Sequence, residues 1–408
     1  MKAGLINIGV GLLVAAAGLA ISFGTYALAR ENGGHYYVTW GLVVVGGLQV
    51  LIGCGQFVRG LFTKEGRASL RNLFWPQSAA GVAARLGILV VAAGVFWIFA
   101  PESWKTVSPA SLQSFSLRDD PDTVAYSPDG KWIAIAMGYG GLEILDANTG
   151  AEGKSPAAES YQDIQAVAFS PDGRSLAAAT SSGLRIWSSS DWGSVTPTLA
   201  GKAADGNYAI AVSPDGKEIA TGSVSRGILL WSGADGASLW RAGTDSIDAV
   251  AFSRDGARVA SGSEYGDIKI WNAATGAALG ALDNPDSGFA IGTLVFFRDG
   301  RLAAGGYEKP GVSIFEGATG KLLARLQTAP PLFGAQGNVW SIAISPDESR
   351  LAVGYTDRSI RIWDAKTYSL VRTIFGHAKD VKALAYAPNG HELASGGADH
   401  VLKVWASP

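Results

Sequence analysis

Ser127-Pro128-Asp129-Gly130 is the stretch that decides the fold, because the chain repeats it. Six further copies follow at intervals of 40 to 48 residues, and the later ones carry substitutions. The copies occupy residues 170–173, 213–216, 253–256, 297–300, 345–348 and 387–390. A period in this range is typical of one supersecondary unit copied around a ring or along a stack.

Each copy predicts a small antiparallel sheet. Around the last copy, residues 381–386, 393–395 and 401–405 have the composition of short strands, and Pro388-Asn389-Gly390 separates the first two. Proline fixes φ at the first corner of a turn, and glycine accepts the positive φ that follows. About 42 residues cannot bury both faces of a sheet alone, so the copies must pack face to face around an axis.

The residue that ends the third strand of each copy gives a second register through the chain. It falls at Leu145, Trp187, Trp231, Trp271, Phe315, Trp363 and Trp405. Seven copies over residues 106–408 leave roughly 43 residues for each unit. The sequence therefore predicts a seven-bladed, all-β domain.

At these residues the chain resembles the WD40 propeller family, whose blades often begin with Gly-His and end with Trp-Asp. The last repeat matches best, since Gly376-His377 precedes its first strand. The resemblance places the family's hydrogen-bonded structural set at His377, Ser395, Asp399 and Trp405. The other repeats lack the Gly-His pair, and the literal Trp-Asp pair occurs at Trp363-Asp364. We expect most blades to depend on apolar packing instead.

Residues 112–117 alternate like a strand but precede the first repeat, whereas the last repeat stops just after its third strand. In the family that the chain resembles, such a strand joins the last blade and closes the ring. Closure removes sheet edges that could otherwise pair with other chains. We therefore expect residues 112–117 to complete the last blade.

Residues 1–105 predict a membrane anchor of about three helical spans. Residues 3–29 and 36–58 contain no charged side chain, and each run is long enough to cross a bilayer. A third span is expected at residues 79–100, where Arg85 can extend from a helix end toward the headgroups. These spans would also place the chain in contact with membrane lipid.

The orientation of the anchor follows from its loops. The loop after the first span has Arg30 as its only Lys or Arg, whereas the segment after the second carries Arg59, Lys64, Arg67, Arg71 and Arg85. The positive-inside rule places the richer loop in the cytoplasm. Three spans then put the propeller on the opposite side, in the periplasm if the membrane is a bacterial inner membrane. Without the third span, the propeller would face the cytoplasm.

Two further hypotheses concern the anchor. Ala27-Leu28-Ala29 has the form of a cleavage site, so residues 1–29 could be a cleaved signal peptide. Small residues recur every seven positions within each predicted span, in series that include Gly11 in the first span, Gly53 in the second and Gly87 in the third. Such faces allow close helix contact and could support an oligomer, although glycine is also abundant throughout this chain.

Charge and motif content exclude several classes of function. Residues 106–408 hold 25 Lys or Arg and 32 Asp or Glu, which lacks the basic footprint of a nucleic-acid binder. Cys54 is the sole cysteine, and the four histidines lack the spacing of a zinc site. No nucleophile elbow, P-loop or kinase signature occurs. We predict no catalytic residue, cofactor or metal site.

Tyrosines in the turns between second and third strands mark a candidate binding face. They are Tyr139, Tyr265, Tyr307 and Tyr355, and the loops before the first strands add Tyr161, Tyr208 and Trp340. In WD40 propellers these turns and loops share the face that most often contacts partners. Tyrosine gives a large contact area at a low cost in conformational entropy, but it could equally pack over the blade ends.

The sequence predicts a membrane-anchored, non-enzymatic scaffold that binds a protein or peptide, a function that rests on analogy of fold. One alternative is an enzyme or ligand sensor that uses the central channel. The inner-strand positions are largely Ala, Val and Ile, which disfavours that alternative. The other alternative is the same scaffold facing the cytoplasm.

Overall fold

The computed structural model describes residues 111–153, 156, 163–195, 206–285, 288–307, 309–317, 319–327 and 337–407. The predicted anchor at residues 1–105, with its spans at 3–29, 36–58 and 79–100, lies outside the described residues, and so does Tyr161. None of the described residues belongs to a helix with the length and apolar character needed to cross a bilayer.

The described residues form 26 strands in seven antiparallel sheets, which we number as blades 1 to 7. The chain begins with β1 (Gln113–Ser116). Blade 1 contains β2 (Thr123–Tyr126), β3 (Trp132–Ala136) and β4 (Leu142–Asp146), and blade 2 contains β5 (Ile164–Phe169), β6 (Ser175–Thr180) and β7 (Gly183–Ser188). Blade 3 contains β8 (Asn207–Val212), β9 (Glu218–Ser223), β10 (Gly227–Ser232) and β11 (Ser238–Ala242). Blade 4 contains β12 (Ile247–Phe252), β13 (Arg258–Ser263), β14 (Ile268–Asn272) and β15 (Ala278–Ala281).

The remaining three blades follow the same order. Blade 5 contains β16 (Ile291–Phe296), β17 (Leu302–Gly306), β18 (Lys309–Phe315) and β19 (Leu322–Leu326). Blade 6 contains β20 (Val339–Ile344), β21 (Arg350–Tyr355), β22 (Ser359–Asp364) and β23 (Leu370–Phe375). Blade 7 contains β24 (Val381–Tyr386), β25 (Glu392–Gly397) and β26 (Val401–Ala406), with β1 as its fourth strand.

The repeated phrase forms the turn between the first and second strands of each blade. In five blades the serine hydroxyl donates to the aspartate Oδ1 at 2.5 to 2.8 Å, as Ser127 does to Asp129. The glycine follows with a positive φ, +73° at Gly130. Side chain and backbone thus favour the same turn, which explains why this short phrase fixes the blade register.

Three departures from the phrase lie together. Arg254 and Arg298 replace its proline in blades 4 and 5, and Glu348 replaces its glycine in blade 6. The Glu348 carboxylate lies 3.4 Å from Arg254 Nε and 3.6 Å from Arg298 Nε, and it accepts a hydrogen bond from the Arg298 backbone N–H. Glu348 also keeps the positive φ of the glycine it replaces, at +58°. In these three turns, a proline or glycine that favours the turn is therefore replaced by a charged residue that forms ion pairs between blades.

The blades close into a ring through their first strands. Each first strand contacts the first strand of the next blade, and β24 contacts β2 to complete the circuit. Apolar clusters fill the space between successive blades, and one of them joins Leu117 and Val124 to Ala383 and Leu402. Burial of each large aliphatic side chain contributes about 1.5–3 kcal/mol, so these seven contact layers form the core.

Strand β1 completes blade 7. It pairs with β26 in antiparallel register, with Phe115 opposite Leu402. Leu117, directly after β1, is buried and donates its backbone N–H to the His400 carbonyl oxygen. The last blade therefore takes its fourth strand from the residues just before the first blade.

A buried hydrogen-bonded set links the strands of blade 7. His377 Nε2 lies 2.7 Å from Ser395 Oγ, and its Nδ1 lies 2.9 Å from Asp399 Oδ1. Trp405 Nε1 donates to the same Ser395 oxygen at 2.7 Å. Blades 3 and 4 keep the tryptophan part of this arrangement, in which Trp231 donates to Thr221 and Trp271 to Ser261.

Candidate functional site

A cavity of about 480 Å³ lies at the centre of one face of the propeller, and we call it the channel mouth. Residues from or next to all seven first strands line it. The repeated turns join the opposite ends of those strands, so they lie on the other face, which we call the turn face. This cavity is the candidate functional site because concave sites lined from several elements are the usual places for ligand binding.

The second residue of the first strand supplies most of the lining. In blades 2 to 7 the strand pairing shifts by one residue at that position, which makes it a bulge. The bulge residues are Gln165, Tyr208, Asp248, Gly292, Trp340 and Lys382. Asp122, just before β2, takes the corresponding place in blade 1. A bulge turns a side chain away from its ordinary direction, and here the side chains line the channel mouth.

In blade 5 the bulge residue is Gly292, and the Tyr307 ring fills the space that a side chain at this position would occupy. A Cβ atom on Gly292 would collide with the Tyr307 ring, so that ring lies directly over the glycine. The ring also meets the Trp340 ring edge to face, with 4.7 Å between centroids. Burial raises the pKa of Tyr307 to about 12, and the charges of Asp248 and Asp122 add to the effect. Tyr307 and Trp340 thus form an aromatic wall beside two carboxylates.

The charges in the cavity are unequally paired. Lys382 Nζ lies 3.3 Å from Asp120 and 3.4 Å from Asp122, and it also lies 5.7 Å from the Trp340 ring centroid. Among the residues that the structure describes, Asp248 has no hydrogen-bond or ion-pair partner. Burial, together with nearby Glu264, raises the pKa of Asp248 to about 6. Asp248 is therefore a carboxylate that the cavity leaves uncompensated.

Two of the predicted tyrosines project freely into solvent. Tyr139 is 84% exposed and Tyr265 is 65% exposed, and both lie in turns after second strands. Tyr208 is half exposed and lines the channel mouth together with Tyr307 and Trp340. The predicted residues therefore separate into an outer exposed pair and an inner group at the cavity.

Tyr355 is a correction to the predicted face. It is only 1% exposed, because it is the last residue of β21 rather than part of the turn that follows. Its ring packs beneath Arg361, whose Cζ lies 4.1 Å from the ring centroid. Ser263 holds the same register in blade 4, two positions before the exposed Tyr265. A buried strand residue of this kind cannot contact a partner.

The channel mouth also corrects the expectation that the inner positions are largely Ala, Val and Ile. Those residues are present in the first strands, but the one bulge position in a strand carries a different type of residue, as Asp248, Trp340 and Lys382 show. Sequence reasoning missed Asp122, Gln165, Asp248 and Lys382 as site residues. The signal was available in the aligned repeats, as a position near the start of each first strand where the residue varies from blade to blade, as at Gln165, Asp248 and Lys382.

Asp119, Asp120 and His400 form a second cluster, with one possible ligand atom from each within 4.8 Å of the others. His400 Nε2 lies 3.4 Å from Asp120 Oδ1, and Lys382 contacts the other oxygen of the same carboxylate. His400 and Asp119 are close to half exposed. Ordinary surface ion pairing accounts for this cluster.

Comparison with known proteins finds repeats of one family in five of the seven blades. The sequence profile described as "WD domain, G-beta repeat" matches residues 157–188, 198–232, 238–272, 326–364 and 368–406. Blades 1 and 5 are outside these matches, and they carry Leu145 and Phe315 where the matched repeats end in tryptophan. No curated protein matches the chain.

A chain in a solved structure, "Crystal Structure of Mitotic Checkpoint Complex", has a similar fold. The TM-score is 0.64 at 18% identity, over 73% of this chain and 95% of that chain. At this identity the likeness concerns the fold alone.

Proposed function

Because the chain carries WD40 repeats in a seven-bladed β-propeller, we propose that it is a non-enzymatic scaffold whose channel-mouth face binds a protein or peptide partner. One observation carries the proposal. The exposed rings of Tyr139 and Tyr265 belong to the same face as a cavity lined from all seven blades. Exposed tyrosines next to a concave site are the chemistry that protein interfaces favour.

Membrane anchoring is part of the same proposal and rests on the sequence. The charge-free runs at residues 3–29 and 36–58 support it, and the loop charges support a periplasmic propeller. Anchoring would hold the propeller near the membrane surface and raise its effective concentration toward neighbouring proteins. The spans would then contact lipid.

Photo-crosslinking in intact cells tests the scaffold function. We expect p-benzoylphenylalanine at Tyr265 of the full chain to capture discrete protein partners. Lys217 is the matched control, because it is exposed in a turn of the opposite face. A second experiment places the probe at Tyr208. Capture there should fall when Tyr139 and Tyr265 are both replaced by alanine. Identical products from Tyr265 and Lys217, or none from Tyr265, would contradict the proposal.

A further inference from the structure

Asp248 is the starting point, because its carboxylate lies in the channel mouth without a partner among the described residues. It is partly buried on β12, and the charge that adds to the effect of burial on its pKa belongs to another carboxylate, Glu264. An uncompensated charge in a partly buried position is costly to the folded state. Titratable groups that burial and a neighbouring charge perturb are common at functional sites, and a cleft is where such a group can meet a ligand.

The surrounding charges favour a cation. Lys382 is already occupied by Asp120 and Asp122, so these three groups keep one excess negative charge. Asp248 adds another carboxylate to the lining, and the charge of Glu264 acts on it from outside the cavity lining. Field lines concentrate in a cleft lined mainly by one sign of charge, and this attracts the opposite sign.

The aromatic side chains favour a cation attached to an apolar stem. Tyr208, Tyr307 and Trp340 line the same cavity, and Trp340 and Tyr307 stand edge to face at 4.7 Å. Aromatic faces attract ammonium and guanidinium groups, and they also pack against the methylene stems of such side chains. A cavity of about 480 Å³ has room for one long side chain.

We propose that the channel mouth binds a lysine or arginine side chain from a partner protein, with Asp248 as counter-ion and Tyr208, Tyr307 and Trp340 as its aromatic walls. A protein side chain is the favoured occupant because Tyr139 and Tyr265, exposed on the same face, can contact the partner's backbone and flanking residues. The inference rests on the proposed scaffold function and specifies the chemistry that its partner presents.

Calorimetric titration of the full 408-residue chain with short peptides tests the inference. The probes are acetyl-Gly-Arg-Gly-amide and acetyl-Gly-Lys-Gly-amide, and the neutral control is acetyl-Gly-norleucine-Gly-amide. We expect dissociation constants of about 1 mM for the cationic peptides and at least roughly tenfold weaker binding of the neutral one. Ethylguanidinium tests a small cation in place of a peptide, and we expect it to bind more weakly than the arginine peptide.

Variants assign the binding to the named side chains. Asp248→Asn should weaken binding of the cationic peptides roughly tenfold, and Trp340→Leu should weaken their binding severalfold. Asp283→Asn is the matched control, because Asp283 is an exposed carboxylate in the loop after β15. Equal binding of the norleucine peptide, no effect of Asp248→Asn, or no binding of either cationic peptide would overturn the inference. Equal binding of ethylguanidinium would overturn the partner-side-chain assignment.

Crosslinking separates failure of this inference from failure of the scaffold function. If Tyr265 captures partners equally well in the Asp248→Asn variant, the scaffold function stands and the cation site is wrong. If cationic peptides bind through Asp248 but Tyr265 captures nothing, the cation site stands and the scaffold function fails.

Discussion

Asp248 shows how a single side chain can oppose stability. Burial raises its pKa from 3.8 to about 6, so the folded protein holds a proton that the unfolded chain has already lost. The contribution of protonated Asp248 to the stability of the folded state is complete below pH 3.8 and is lost as the pH rises through 6. Above that range the ionised carboxylate destabilises the fold.

We therefore expect Asp248→Asn to stabilise the protein above pH 6. Asparagine cannot ionise, so the gain should be on the order of 1 kcal/mol at about pH 8, after allowance for solvent screening, and should shrink toward zero near pH 4. Thermal unfolding at both pH values measures the difference. Asp283→Asn should show no comparable pH-dependent gain, and a destabilised Asp248→Asn protein at pH 8 would contradict the prediction.

His377 has the opposite pH dependence. Burial lowers its pKa below 6.5, although its hydrogen bond to Asp399 works in the other direction. The unfolded chain then takes up a proton first as pH falls. The stability that neutral His377 supplies is present above pH 6.5 and is lost as pH falls through the lower folded-state pKa.

We expect His377→Gln to lower stability at neutral pH and to flatten the loss of stability below pH 6.5. The neutral-pH cost should be about 1–3 kcal/mol, because Ser395 and Asp399 lose a buried hydrogen-bond partner. Denaturant unfolding across the pH range provides the measurement. His391→Gln is the control, since His391 is exposed in a turn and should leave the slope unchanged.

At the scale of elements, the most informative place is where β1 and Leu117 pack into blade 7, which we call the joint. Leu117 is 8% exposed within the apolar cluster between blades 7 and 1, whereas Leu112 is 56% exposed just before β1. The two residues differ in burial but not in chemistry. They therefore separate the packing at the joint from general effects of the segment.

We expect Leu117→Ala to destabilise the propeller by about 2–3 kcal/mol, because it leaves a cavity in the joint. Leu112→Ala should change stability by less than about 0.5 kcal/mol. Deletion of residues 106–118 should cost more than either, since β1 also supplies backbone hydrogen bonds to β26. Equal melting temperatures for Leu117→Ala and wild type would show that the joint contributes nothing to stability.

The elements were predictable because their signals are local. Ser127, Asp129 and Gly130 specify a turn through contacts within five residues, and the seven copies then specify the blade number. The channel mouth was less predictable, because its side chains come from distant strands and their direction depends on a bulge. Tyr355 illustrates the limit, since a shift of two positions relative to Tyr265 separates a buried ring from an exposed one.

At the scale of the whole molecule, the two faces of the propeller differ in character. The turn face consists of the repeated turns, where Glu348 forms ion pairs with Arg254 and Arg298. The channel-mouth face carries exposed tyrosines and Asp248, a carboxylate with no partner among the residues that the structure describes. Repetition therefore serves stability on one face, and variation between repeats creates the candidate site on the other.

If the predicted spans anchor the chain, the side of the membrane on which the propeller lies sets which partners it can meet. Loop charges around the predicted spans favour a cytoplasmic segment after residue 58 and a propeller on the opposite side. We expect alkaline phosphatase fused after Pro408 to be active, because this reporter works only when exported. The same reporter fused after Gly66, in the basic loop, should be inactive. An inactive fusion at both positions would instead place the propeller in the cytoplasm and would mean that residues 79–100 do not cross the membrane.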